Sequence, residues 1–224
     1  MGGFEHAGRA SLSCAGGLVL GYDPVMTAPS AIAAANPERV DQRVTLHGVP
    51  WAQYEALLAI RGDDPRPRMT YFDGELEFMS PSIDHEQIKK NIARLVEAWA
   101  DILGLELQGY GSWTVRAKRA KAGAEADECY TLNGPDRPKR PDLAIEVVWT
   151  GDAVRKLQVW AALSVGEVWI YEAGEIHAYV LRDGVFVANA ASVLLPGIDL
   201  TVLARLAQLR QSAAVRELRA IVTG

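Results

Sequence analysis

The chain is poor in cysteine: Cys14 and Cys129 are the two in 224 residues, and no CxxC pair exists. That excludes a disulfide scaffold and a cysteine zinc site, and leaves two free thiols in a reducing cytoplasm as the expectation. No run reaches the roughly 18 apolar residues of a membrane helix; "CAGGLVLGY" is apolar but short. The N-terminus lacks the basic start and long apolar core of a secretory signal. Positive charge is not in excess either. The formal net charge is −5, so any contact with nucleic acid must come from local basic patches. A Walker loop, a dinucleotide fingerprint and a GxSxG elbow are all missing. Apolar residues are plentiful, at 49%, enough at this length for one soluble, cytoplasmic domain with a sizeable core.

Residues 1–38 are rich in Gly, Ala, Ser and Pro without a period, which predicts a flexible N-terminal extension before a single domain over 39–224. "VPWAQYEALLAIRG" predicts a short helix from Pro50 to Gly62. "RMTYFDGELEFMSP" predicts a hairpin turning at Asp73-Gly74, with Glu75, Glu77 and Met79 on one solvated face and Glu77 able to reach a site. Ile88, Ile92, Leu95, Val96, Trp99, Ile102 and Leu103 repeat at helical spacing between an N-cap at Ser82 and a stop at Gly104. Two short strands follow near 105–110 and 112–116, then "RAKRAKAGAE" as a basic, turn-like link, "ADECYTL" as a short strand and "NGPDRPKRP" as a loop. A buried strand over "LAIEVVW" leads to a helix over "DAVRKLQVWAALS", capped near Thr150 or Asp152. Strand, turn, strand, turn, strand come next, with turns at Ala173-Gly174 and Asp183-Gly184, and a helix from about Leu200 ends the chain. This order predicts an α/β fold: a mixed central sheet flanked by helices, with an added β-hairpin region.

Glu146 lies in the middle of the greasiest strand. A bare carboxylate there would cost several kcal/mol or be protonated, so a lysine, an arginine or a metal ion must compensate it. Asp142 shares its face but stands four residues away, roughly 13 Å along a strand, so the partner should come from a neighbouring strand. Asp127 opens the short strand just upstream. If the two strands pair, Asp127 and Glu146 converge, and two such carboxylates repel unless a cation sits between them. Oxygen donors with open positions suit magnesium, with manganese as substitute. Lys156, one turn into the following helix, can swing back over the strand end to neutralise the carboxylates, orient a water or stabilise a phosphorane-like charge. A structural Glu146–Lys156 ion pair without metal is the alternative.

An aspartate and a glutamate on two strands with a nearby lysine resemble the PD-(D/E)xK nuclease superfamily, the restriction-endonuclease-like fold. More closely, the chain is similar to the Uma-type (Uma-two) restriction endonuclease family. The matching pieces are "MTYFDGELEFMSPSIDHEQI", "EADECY", "RPDLAIEVVWT" followed by "RKL", and "GEVWIYEAGEIHAYVL", covering about residues 50–187. The resemblance implies Asp127 and Glu146 as metal ligands, Lys156 as the catalytic lysine, and metal-dependent hydrolysis of phosphodiester bonds in DNA. Three positions depart from it. Ala126 stands where a proline is usual, Val148 where a simple ExK motif puts its lysine, and Thr70 or Tyr71 where many relatives carry an acid. Glu77, His85 or Glu86 can supply the missing acid or a water and phosphate contact. Acidic residues in the first turn of the long helix also favour its dipole.

Arg116, Lys118, Arg119 and Lys121 form one basic cluster and Arg137, Lys139 and Arg140 another. Both flank the acidic strands, which predicts phosphate contacts from Arg116, Lys118, Arg119 and Arg140. A homodimer is expected because cutting two strands takes two sites, with strands around 169–180 as its edge. The competing reading is a catalytically inactive protein of the same fold, a dimeric DNA-binding or protein-interaction module, motivated by the Ala126 and Val148 departures.

Overall fold

A computed structural model describes residues 40–132, 137–149 and 152–224. The N-terminal extension, Cys14 and the Thr150 capping position lie outside the described residues. In chain order the elements are β1 (Gln42–Leu46), α1 (Trp51–Arg61), β2 (Arg68–Phe72), β3 (Glu75–Ser80), α2 (Ile83–Leu103), β4 (Gln108–Gly109), β5 (Thr114–Ala117), β6 (Ala122–Glu125), β7 (Glu128–Thr131), β8 (Leu143–Val148), α3 (Ala153–Ala162), β9 (Glu167–Glu172), β10 (Glu175–Arg182), β11 (Val185–Asn189), α4 (Leu200–Ala207) and α5 (Gln211–Thr223).

They build a mixed α/β fold with two sheets. The first has five strands in the order β1-β3-β2-β6-β5, all antiparallel. The second has six, in the order β11-β10-β9-β8-β7-β4, with β8 and β9 parallel and the other pairs antiparallel. What the sequence presents as a hairpin is thus the centre of a full sheet. Two of its members escape a sequence reading. β1 is short and mostly exposed, with no alternation to reveal it. β6 is "AGAE", whose small residues carry no β-propensity signal, yet all four are buried, Ala122 and Ala124 towards α3 and Gly123 and Glu125 towards α1. The "RAKRAKAGAE" link is therefore a short 3₁₀ turn over Lys118–Ala120 followed by a core strand.

Local rules explain the rest. The Asp73-Gly74 turn holds both residues at positive φ, 42° and 92°, as a two-residue hairpin demands. Ser82 caps α2 by accepting the His85 N–H, and Gly104 ends it at φ 65°. The apolar stripe of α2 packs with α4 and α5 against one face of the six-stranded sheet, with Leu143, Ile145 and Val147 beneath it. α3 covers the opposite face, where Ala144, Val148 and Ile170 meet Val159 and Trp160. Every residue of β8 is buried, because the strand is covered on both faces. Strands β9 and β10 lie inside the sheet and β11 forms its edge. The expectation that strands around 169–180 offer a dimer edge is corrected accordingly.

Candidate active site

The chain crosses from the first sheet to the second at Ala126-Asp127, between β6 and β7. β7 pairs antiparallel with β8, placing Glu128 opposite Ile145. The register carries Asp127 up to Glu146, and the Val147 N–H donates to Asp127 Oδ2 at 2.7 Å. The strand pairing expected from the sequence is therefore present, and both carboxylates are fully buried.

Asp127 is held from several sides. The Arg68 guanidinium, itself buried, hydrogen-bonds its Oδ1. His85 Nε2 lies 2.9 Å from the same oxygen but is not aligned for a hydrogen bond. The other ring nitrogen of His85 is 2.9 Å from Asp41 Oδ2 in bonding geometry, and the Ser82 N–H donates to Asp41 Oδ1 at 2.8 Å. Burial alone would raise the Asp41 carboxyl; the hydrogen bonds from His85 and Ser82 outweigh it and hold the group down at about 2. Arg68 also donates to Glu86 at 2.9 Å, and Glu86 pairs with Lys89 at 2.9 Å. The α2 cap thus aims His85 and Glu86 at the aspartate.

Glu146 has two donors. Lys156 Nζ sits 2.9 Å from Oε2, and the Trp160 indole N–H donates to Oε1 at 2.7 Å. Lys156 and Trp160 are four residues apart on α3 and so share the helix face that lies on β8. The greasy strand tolerates its carboxylate because each oxygen is met by a buried donor.

Glu77 comes from the opposing sheet, directly across the hairpin from Thr70. It therefore stands beside the position where the resemblance expects an acid. It is 7% exposed, with Arg43 3.5 Å away. Burial pushes its carboxyl up; Lys156 and Arg43 pull it down, while Asp152 and Glu146 push it further up. This electrostatic coupling ties Glu77 to the Glu146–Lys156 pair. Arg43 also bonds Asp152 at 2.8 Å, and Glu75 pairs with Arg155 of α3. The face expected to be solvated is instead turned inward, because α3 lies over it with Asp152, Arg155 and Lys156.

Not every expected contact gathers here. Arg116 is exposed on β5 opposite Gly123, and its charge is felt by Tyr54 on α1. It projects from the α1 face of the sheet, away from the carboxylates. Lys118 and Arg119 sit in the 3₁₀ turn at the far end of the β5–β6 hairpin, and Arg140 precedes β8 at the end remote from Glu146. Besides Lys156, the basic residues that reach the cluster are Arg43 and Arg68. No motif marks them, since each is an isolated charge in a strand whose partner lies far along the chain. Cys129 is buried and its thiol is pushed up to about 12 by burial. Among the described residues, no three His, Cys, Asp or Glu side chains already stand at metal-ligand spacing.

No curated protein matches the chain. A crystal structure described as "a putative nuclease belonging to DUF820 from Anabaena variabilis ATCC 29413" aligns with a TM-score of 0.45 and 11% identity, over 71% of this chain and 96% of that one. The profile of the Uma2 family, described as "Putative restriction endonuclease", matches residues 51–209, which hold α1 through α4 and every carboxylate of the cluster except Asp41. The chain belongs to the Uma2 family.

Proposed function

We propose that the protein is a metal-dependent endonuclease that hydrolyses phosphodiester bonds in DNA. Asp127 and Glu146 are its metal ligands, Glu77 is a further oxygen donor, and Lys156 is the catalytic lysine. The observation that carries the reading is a buried aspartate bonded to the backbone of Val147, the residue next to Glu146, together with a lysine bonded to Glu146.

The donor set fits magnesium or manganese. It is made of carboxylate oxygens, without thiolates. Glu77 supplies the test from the structure itself: it is buried, its nearest cation is 3.5 Å away, and its carboxyl is pushed up by burial. Such an under-neutralised acid is what a divalent cation relieves. When bound, the metal would lower the pKa of a water and offset charge at the phosphorus.

The chain's own residues do the positioning. Trp160 fixes Glu146 Oε1, so the carboxylate cannot rotate away from Lys156. Lys156 Nζ keeps two further protons to orient the attacking water or to meet the charge that grows on a phosphoryl oxygen. Arg68, held between Asp127 and Glu86, offers the fork geometry that suits a phosphate diester. The wall formed by β8, β9 and α3 excludes bulk water from the lysine side.

The test is relaxation of a supercoiled plasmid in magnesium. Wild-type protein should nick or linearise it, chelator should stop the reaction, and Asp127→Ala should be inactive. Cleavage that survives Asp127→Ala would refute the assignment. One observation favours a second reading, a nuclease fold kept as a non-catalytic DNA-binding or protein-interaction module. All four oxygens of Asp127 and Glu146 already meet protein donors. That reading predicts DNA binding without cleavage and no stabilisation by metal.

A further inference from the structure

A groove of about 600 Å³ opens beside the carboxylate cluster, between α2 and β7. Glu86, Lys89 and Lys90 line it from α2, Glu128 from β7, and Gly111-Ser112 from the bend after β4. Glu128 is the odd member. It is 8% exposed; burial pushes its carboxyl up and the charges of Lys89 and Lys90 pull it down, but among the described residues no hydrogen bond fixes it. Two other buried glutamates of the strands are fully met. Glu125 is held by Arg61, Thr114 and the Met69 N–H, and Glu167 by the Trp169 indole and the N–H groups of Val193 and Leu194. The Glu128 carboxylate is not sealed from solvent, so a donor can reach it from the groove. Gly111 keeps it accessible: it holds a φ of 59°, and a Cβ there would stand 3.4 Å from Glu128 Oε1.

We propose that this groove binds one nucleotide of the DNA strand beside the cleaved phosphate, with Glu128 accepting from the exocyclic amino group of its base and Lys90 meeting its phosphate. The inference rests on the nuclease reading. Its chemistry follows from what the groove offers. A carboxylate that can only accept stands next to two ammonium groups that can only donate. The ligand must then carry both a donor and an anion, and a nucleotide of cytosine or adenine carries both. Carboxylates read the cytosine amino group in this way, and the volume lies in the range of small-ligand sites. The groove is also joined to the cluster: Glu86 is shared between Lys89 on its wall and Arg68 at Asp127.

Fluorescence anisotropy with labelled single-stranded oligo-dC, oligo-dA and oligo-dT, in chelator so that nothing is cut, tests the proposal. Thymine has no exocyclic amino group. Wild-type protein should bind oligo-dC or oligo-dA at least about fivefold tighter than oligo-dT, the lower end of what one good base contact discriminates. Glu128→Ala should erase that preference. Lys90→Ala should weaken all three alike and lower the salt dependence by about one counterion. Glu128→Ala removes a buried carboxylate that no hydrogen bond fixes, so its melting temperature should equal or exceed that of the wild type. A variant that instead unfolds is replaced by Glu128→Gln, which should narrow the preference. Equal binding of all three oligonucleotides, or a preference that survives in the Glu128 variants, overturns the base contact alone. Binding to none of them overturns the nucleic-acid reading as well.

Discussion

Replacing Glu146 by glutamine probes the buried pair most sharply. Glu146 is fully buried, and both of its partners are donors: Lys156 Nζ at 2.9 Å and the Trp160 N–H at 2.7 Å. Glutamine has one acceptor oxygen, so its amide nitrogen must face one of the two donors. If it faces Lys156, a buried ammonium loses its counter-charge. Breaking a buried pair from one side costs about 3–5 kcal/mol, and at this chain length each kcal/mol moves the melting temperature by about 2–4 °C. The expected drop is therefore about 6–20 °C, measured by calorimetry in chelator so that metal does not contribute. The double variant Glu146→Gln/Lys156→Met removes both charges, and should recover a large part of that loss. A melting temperature within about 1 °C of wild type for Glu146→Gln, or a double variant as unstable as the sum of its singles, would refute the pairing argument.

Three further outcomes are expected. Arg68→Gln leaves Asp127 without its buried counter-charge, which should cost about 3–5 kcal/mol. Magnesium should then raise its melting temperature more than that of the wild type, and equal shifts in a thermal melt would count against Arg68 and metal sharing Asp127. Asp41 titrates in the folded protein at about 2 rather than at 3.8, so its stabilising contribution is complete above about pH 4 and is lost as pH falls towards 2, about 2 kcal/mol in all. Asp41→Asn should be less stable at neutral pH and lose less between pH 4 and 2, as read by urea unfolding across that window. Gly123→Ala puts a methyl into the Tyr54 ring, which stacks on Tyr71 at 4.9 Å and cannot step aside. A loss of about 1–3 kcal/mol is expected, and an unchanged denaturation midpoint would show that Tyr54 can move.

The sequence made some of this site legible and hid the rest for physical reasons. Glu146 announces itself because an acid in a run of six buried residues contradicts its surroundings. Asp127 and Lys156 follow from strand pairing and helix reach, which are short-range geometry. The caps of α2 and the Asp73-Gly74 turn are equally local. Arg43, Asp41 and Asp152 are different. Their link depends on how the first sheet lies over α3, and no local period encodes that packing. Glu77 was visible as a candidate, yet its face reads as solvated because alternation cannot say which side of a hairpin is covered. β6 is hidden by composition: alanine and glycine fit there because Tyr54 and α3 press close on either face. The basic clusters misled for the opposite reason. Charge density along the chain marks exposed turns, whereas the cations at the carboxylates come singly from β1, β2 and α3.

If Glu77, Asp127 and Glu146 together hold a divalent cation, calorimetric titration of manganese will detect it. Glu77→Gln is the comparison of choice, because Glu77 has only a loose ion pair to lose and the fold should survive. The account predicts saturable binding to the wild type and weaker or no binding to Glu77→Gln, with both proteins folded by circular dichroism. No heat of binding in the wild type, or equal affinity in the two proteins, would contradict it.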